Sequence, residues 1–205
     1  MKDMTFDFSL ASGIAQQIVD LLVPGCLRID IAGSLRRGCK IVHDIDIVCF
    51  PIMSDVRSNQ PDLFSQSESV GIVKLPIALN AITDYNGFGR IIKDKNMYAR
   101  VFSFNTPKIL MQEYSFLIPI EVYVAEPDGK NYEALLQMRT GNANFNICMA
   151  SRARQLGLTY KAGHGIYNGN ERVDDGTEAG IFNILGLEYI YPKDRIGGQR
   201  YLIKS

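Results

Sequence analysis

The run HDIDIVCF, His43 to Phe50, sets two aspartates between isoleucines in a segment otherwise built of core-forming residues. Side chains two apart on a β-strand share a face, so a strand here buries Ile45 and Ile47 and presents Asp44 and Asp46 together on the other side. Two carboxylates held that close repel unless positive charge lies between them. A divalent cation meets that need, and hard oxygen ligands suit magnesium or manganese. A half-buried strand with a polar edge would read the same, and this run alone does not separate the two.

The residues just upstream tip the balance. CLRIDIAG alternates as a strand and ends at Gly33-Ser34, ahead of a short helical stretch, LRRGCK. Such a turn leaves backbone N–H groups free at the positive end of a helix dipole, where an anion is favoured. Glycine lets the backbone come close and Ser34 adds a hydroxyl donor. Arg37 can grip the same phosphate in bidentate fashion, with Arg36 directed away into a surface ion pair. A phosphate cradle one strand from a carboxylate pair points to magnesium–nucleotide chemistry. Two ions about 3.5–4 Å apart share ligands and call for a third carboxylate. Glu121 in IPIEVYV also alternates with core residues and is the candidate; taken alone it would read as a surface strand charge.

The rest of the chain fits an α+β protein with a boundary near residues 127–131. Leu10, Ile14, Ile18 and Leu21 or Leu22 recur at helical spacing, and Pro24-Gly25 stops that helix. MYARVFSF and PIEVYVAEP read as strands, and KILMQEYSFL between them is of uncertain type. The polar segment MSDVRSNQPDLFSQSES reads as a loop or insertion, and ALNAITDYNGFGR as a short helix and turn. After Pro127-Asp128-Gly129 the texture turns mostly helical. NYEALLQMRTG and NFNICMASRARQLG form two helices, the second closed by Gly157. LTYKAGHGIYNGNE forms a hairpin, and TEAGIFNILGL a helix between an N-cap at Thr177 and a stop at Gly186.

Composition narrows the class without naming it. The formal net charge is zero, so a polyanionic partner would have to be met by a local basic face. No apolar run approaches the roughly 20 residues that span a bilayer. LASGIAQQIVDLLV is interrupted by Gln16, Gln17 and Asp20, unlike a signal peptide. A protein that is not secreted is expected, in the cytoplasm, or in the nucleus or a viral factory if its source is eukaryotic or viral. Cysteines 26, 39, 49 and 148 lack metal-ligand spacing and read as buried reduced thiols. His43 and His164 are the only histidines, which leaves little for a structural zinc site.

AGSLRRG followed by HDIDIV resembles the palm motif of the DNA polymerase beta-like nucleotidyltransferases, and specifically of the family X DNA polymerases. LLQMRTGNANFNICMASRARQLGL resembles the segment by which that family enters its thumb. GLTYKAGHGIY and TEAGIFNILGLEYIYPKDR resemble its C-terminal hairpin and closing helix. The resemblance runs from about Leu10 to Arg195 and is weakest between Pro51 and Arg90. It implies a nucleotidyltransferase palm, a mixed sheet with helices, over residues 1–127. A smaller, mostly helical thumb-like domain would occupy residues 128–205. Residues 1–25 leave little room for the lyase and helix-hairpin-helix regions of full members, so the compact palm-plus-thumb form is expected, without deoxyribose-phosphate lyase activity.

Carried over residue by residue, Asp44, Asp46 and Glu121 would be the catalytic carboxylates and bind two Mg2+ ions, for which Mn2+ can substitute. Gly33, Ser34 and Arg37 would hold the triphosphate. Thr140 and Gly141 would form the turn under the nucleotide sugar, with Met138, Arg139 and Asn142 beside it, and Asn146 would reach the minor-groove edge of the incoming base. Arg152, Arg154 and Lys161 would meet DNA phosphates. The implied partners are gapped or primer–template DNA and a dNTP, with no membrane, for a monomer. The chain departs from the family at several of these places. Glu121 stands for an aspartate, His43 for a glycine, Met138-Arg139 for an aromatic pair, Ala150 for an arginine, and Pro119 and Tyr123 for arginines near the primer terminus. The reading that follows is a template-directed, gap-filling DNA polymerase. The alternatives are a nucleotidyltransferase that works without a template or modifies RNA, and a nucleic-acid-binding protein whose site has decayed.

Overall fold

The computed structural model describes residues 5–55, 71–73, 101–105 and 118–196. A two-residue strand β1 (Phe6–Asp7) leads into helix α1 (Phe8–Leu22), whose first turn is capped by the Asp7 carboxylate accepting from the Leu10 N–H. The expected stripe is there, with Ile14, Ile18 and Leu22 buried; Leu21 is the residue left outside. Pro24 lies in a single 3-10 turn, Val23–Gly25, that ends the helix, since proline cannot continue the hydrogen-bond ladder.

β2 (Cys26–Ile31), helix α2 (Gly33–Arg36), β3 (Ile41–Val42) and β4 (Ile45–Pro51) follow. Met53–Asp55 forms β5 and pairs antiparallel with β6 (Gly71–Val73), so the start of the polar segment is a strand and not a loop. β7 (Val101–Asn105) and β8 (Pro119–Val124) complete the main sheet, whose order is β2-β4-β8-β7. β2 and β7 are antiparallel to their neighbours, whereas β4 and β8 run parallel and set Asp46 directly opposite Glu121. The readings of ALNAITDYNGFGR and of KILMQEYSFL fall outside the described residues.

The two faces of this sheet do different work. Ile45, Ile47, Cys49, Ile120, Val122 and Val124 point to one face and pack under α1. On the other, Val48, Tyr123 and Ala125 are covered by Tyr132, Leu135 and Leu136 of helix α3 (Tyr132–Thr140). That helix reaches over only one end of the face. The end carrying Asp46 and Glu121 is left open.

Helix α4 (Ala143–Gln155) starts at an Asn142 cap and stops at Gly157, whose φ of 72° is the left-handed turn expected there. The hairpin read from the sequence is a three-stranded sheet, β9 (Thr159–Lys161), β10 (Gly165–Asn168) and β11 (Glu171–Arg172). Asp174 extends it by accepting from the Ile166 N–H and pairing with Arg172. Helix α5 (Glu178–Ile184) begins at Thr177, which accepts from the Gly180 N–H, as expected. Phe145, Met149, Ile181, Phe182 and Leu185 form a core of their own around these elements. The four cysteines are free, but only Cys49 is buried; Cys26, Cys39 and Cys148 are half-buried. Among the described residues no helix is long and apolar enough to cross a membrane.

Candidate active site

The open end of the sheet is the floor of a cleft of about 450 Å³. Asp44, Asp46 and Glu121 line it, together with Ser34, Arg37, Met138, Arg139, Gly141, Asn142 and Asn146. Asp46 and Glu121 meet through the parallel pairing, and Asp44 joins from the residue just before β4. The Asp46 carboxyl is pushed up to about 7, first by burial and then by the charges of Asp44 and Glu121; Arg139 and Arg37 oppose the shift without cancelling it. Excess negative charge held by oxygen donors is what a hard divalent cation needs. Among the described residues no three acidic, histidine or cysteine side chains are yet gathered closely enough to grip one. The Glu121 carboxylate accepts a hydrogen bond from the Tyr123 hydroxyl, its neighbour on the same strand face. The donor set of Asp44, Asp46 and Glu121 fits a divalent metal in chemistry and charge.

Gly33 makes the approach possible. Its φ is 58°, and a Cβ there would lie 2.1 Å from Oδ2 of Asp46. Only glycine lets the α2 turn sit against that carboxylate. Gly141 plays a similar part across the cleft, where a Cβ would come within 2.7 Å of Oδ1 of Asn146 and of the Phe145 ring. Among the described residues, three of the four buried side-chain atoms without a partner belong to cleft residues: Oγ of Ser34, Nε of Arg139 and Oδ1 of Asn146. An unsatisfied buried polar atom costs about 1–3 kcal/mol. Their concentration at one cleft marks a site completed by a ligand.

The two arginines of the turn divide as expected, with one change. Arg37 lines the cleft and donates to the Thr140 carbonyl oxygen at 2.7 Å. Arg36 turns away, but into a buried network and not onto the surface. It donates to both carboxylate oxygens of Glu178, at 2.8 and 2.9 Å, and to the Thr140 hydroxyl at 2.7 Å. Glu178 also accepts from Arg195, which is fully buried, and from the Tyr189 hydroxyl. Arg37→Ala is therefore expected to weaken nucleotide binding on the order of 10-fold with little change in melting temperature, as a charge-assisted contact is lost. Arg36→Ala should do the reverse, costing about 3 kcal/mol of stability because Glu178 loses a buried partner. Titration with a fluorescent nucleotide alongside thermal melting separates them, and a swapped result would reverse the assignment.

Other expected contacts are placed differently. Thr140 is fully buried and does not line the cleft, because its hydroxyl and carbonyl are taken by Arg36 and Arg37. Its side chain and carbonyl hold the two arginines. The Asn142 side chain caps α4 and donates to the Ile196 carbonyl oxygen. Asn146 donates one amide N–H to the Met138 carbonyl oxygen, and its Oδ1 stays without a partner. Among the basic residues assigned to DNA, Arg154 is exposed and Lys161 stands over the Tyr167 ring at 3.8 Å. Arg152 already donates to the Leu185 carbonyl oxygen at the end of α5. Tyr123 as the partner of Glu121, and the Glu178 network, were not legible as site features. The first shows in the sequence only as strand alternation with Glu121, and the second leaves no local pattern.

Comparison with known proteins adds to this geometry. Residues 135–196 match the family model described as DNA polymerase beta thumb. The fold of the whole chain is similar to that of Leishmania infantum polymerase beta, solved as a ternary P/T complex. The TM-score is 0.66 at 13% identity, over 94% of this chain and 77% of that one. The chain has a polymerase beta-like fold, and its C-terminal part matches the thumb of that family. No curated protein sequence matches it. The α+β fold and the family resemblance read from the sequence are both borne out, the thumb by sequence and the whole by fold. In this polymerase beta-like fold Tyr123 and Arg139 flank the carboxylates of the sheet.

Proposed function

We propose that the chain is a template-directed DNA polymerase of the gap-filling type, moving a nucleotide from a dNTP to a primer 3′ hydroxyl. The observation that supports this most is the parallel pairing of β4 and β8. It brings Glu121 opposite Asp46, beside Asp44 and the Gly33-Ser34 turn. Asp44, Asp46 and Glu121 would hold the two Mg2+ ions, which supply charge stabilisation and a more acidic attacking hydroxyl. The turn at Gly33-Ser34 receives the triphosphate with backbone N–H groups, and Arg37 reaches the same anion from the cleft wall. Met138, Gly141 and Asn146 form the opposite wall, against which the nucleoside would rest. Arg154 and Lys161, with Arg152, give the thumb its basic contacts to DNA phosphates. In this reading the palm spans residues 1–127 and the thumb 128–205, in a monomer.

The test is incorporation of each dNTP and rNTP opposite each template base in a one-nucleotide gap, with magnesium and manganese in parallel. Template-matched incorporation that requires the divalent ion is expected. Equal incorporation on unpaired single strands would favour a template-independent transferase. Binding of gapped DNA with no incorporation under either metal would leave a nucleic-acid-binding protein.

A further inference from the structure

Arg139 lines the cleft and has no charge partner in direct contact among the described residues. Its guanidinium lies 3.5 Å from the centroid of the Tyr123 ring. That ring is 3% exposed and so fixed in place, and its hydroxyl donates to Glu121. Arg139 makes no hydrogen bond or direct ion pair among the described residues, and its Nε is buried without a partner. The contrast with Arg36, which is saturated by Glu178 and Thr140, is sharp. An arginine stacked in this way is seated but not bound, and it lines the same cleft as Asp46 and Glu121.

Resting on the polymerase reading above, we propose that Arg139 is a resident counter-charge of the carboxylate site. Seated on Tyr123, it offsets Asp46 and Glu121 in the metal-free protein and competes with divalent cations for them. Metal entry then requires the guanidinium to move off, toward the triphosphate that arrives with the metal, so the site charges fully only when nucleotide is present. Arg139 would thus be a positioning residue that couples metal binding to substrate.

The test is a titration of the nucleotide-free protein with Mn2+, followed by electron paramagnetic resonance. Arg139→Gln should tighten Mn2+ binding on the order of 10-fold, within the usual range for coupled sites. Arg139→Lys keeps the charge and should stay near the wild-type affinity. Arg139→Met serves as a second neutral variant should the glutamine form fail to fold. Unchanged or weaker binding in the neutral variants would overturn the proposal. So would equal tightening by lysine, since bulk and not charge would then be responsible. Asp46→Asn is the reference. If it does not weaken wild-type Mn2+ binding, the carboxylate site and this inference fall together. If it does and the neutral Arg139 variants change nothing, this inference alone falls.

Discussion

Asp46→Asn is expected to lower nucleotide incorporation by at least about 10³-fold while making the metal-free protein more stable. The activity loss follows because a neutral amide cannot match a divalent cation at a site that depends on charge. The gain in stability follows from the carboxyl pKa of about 7. A carboxylate whose folded pKa lies above its unfolded value of 3.8 holds its proton more tightly in the native state. Stability is then greatest at acid pH and is lost as pH rises through about 7. With EDTA at pH 8, the asparagine variant should melt higher by roughly 5–10 °C, from a few kcal/mol of relieved charge burial and repulsion. The gap should close as pH falls toward 4, and magnesium should raise the wild type but not the variant. A variant that melts lower than wild type at pH 8 in EDTA would show that the carboxylates are satisfied by something other than a cation.

Glu178→Gln carries the largest expected effect on the fold itself. Burial alone would push the Glu178 carboxyl up, but the hydrogen bonds and charges of Arg36 and Arg195 outweigh it and hold the group at about 2. Removing its charge leaves a buried arginine, Arg195, and a largely buried one, Arg36, uncompensated. Breaking such a pair typically costs about 3–5 kcal/mol, or on the order of 10 °C for a chain of this size. The pH dependence has the opposite sign to that of Asp46. A depressed carboxylate contributes stability above its ordinary value of 4.5, lost as pH falls toward about 2. Urea unfolding at pH 7 should therefore separate the variant from the wild type, and at pH 2–3 the difference should shrink. Equal stability at pH 7 would remove the network from any part in holding α2 against α5.

Asp44, Asp46 and Glu121 could be read from the sequence because strand alternation is a local signal with period two. The Gly33-Ser34 turn was legible because a left-handed φ demands glycine, and Thr177 because caps are set by immediate neighbours. Contacts made across the chain were not legible. Arg36 and Glu178 meet from distant positions, and nothing near either predicts the other. The same is true of Thr140, whose inward hydroxyl is fixed by Arg36 and not by its own helix. The third strand of the C-terminal sheet was missed because Glu171–Arg172 is too short for any alternation to show.

The parallel pairing of β4 with β8 also bears on synthesis. Antiparallel neighbours can zip from a tight turn, but parallel ones cannot, and closing the long connection costs chain entropy before any contact returns it. β4 is complete at Pro51, yet its partner does not leave the ribosome until Val124 has been made. Until then Asp46 has no Glu121 opposite it. A nascent chain can therefore present the phosphate-binding turn well before it can gather the carboxylates. The slow, non-local step of folding is the one that assembles the carboxylate site; on the proposed reading, partly made or truncated chains would compete for nucleotide without consuming it.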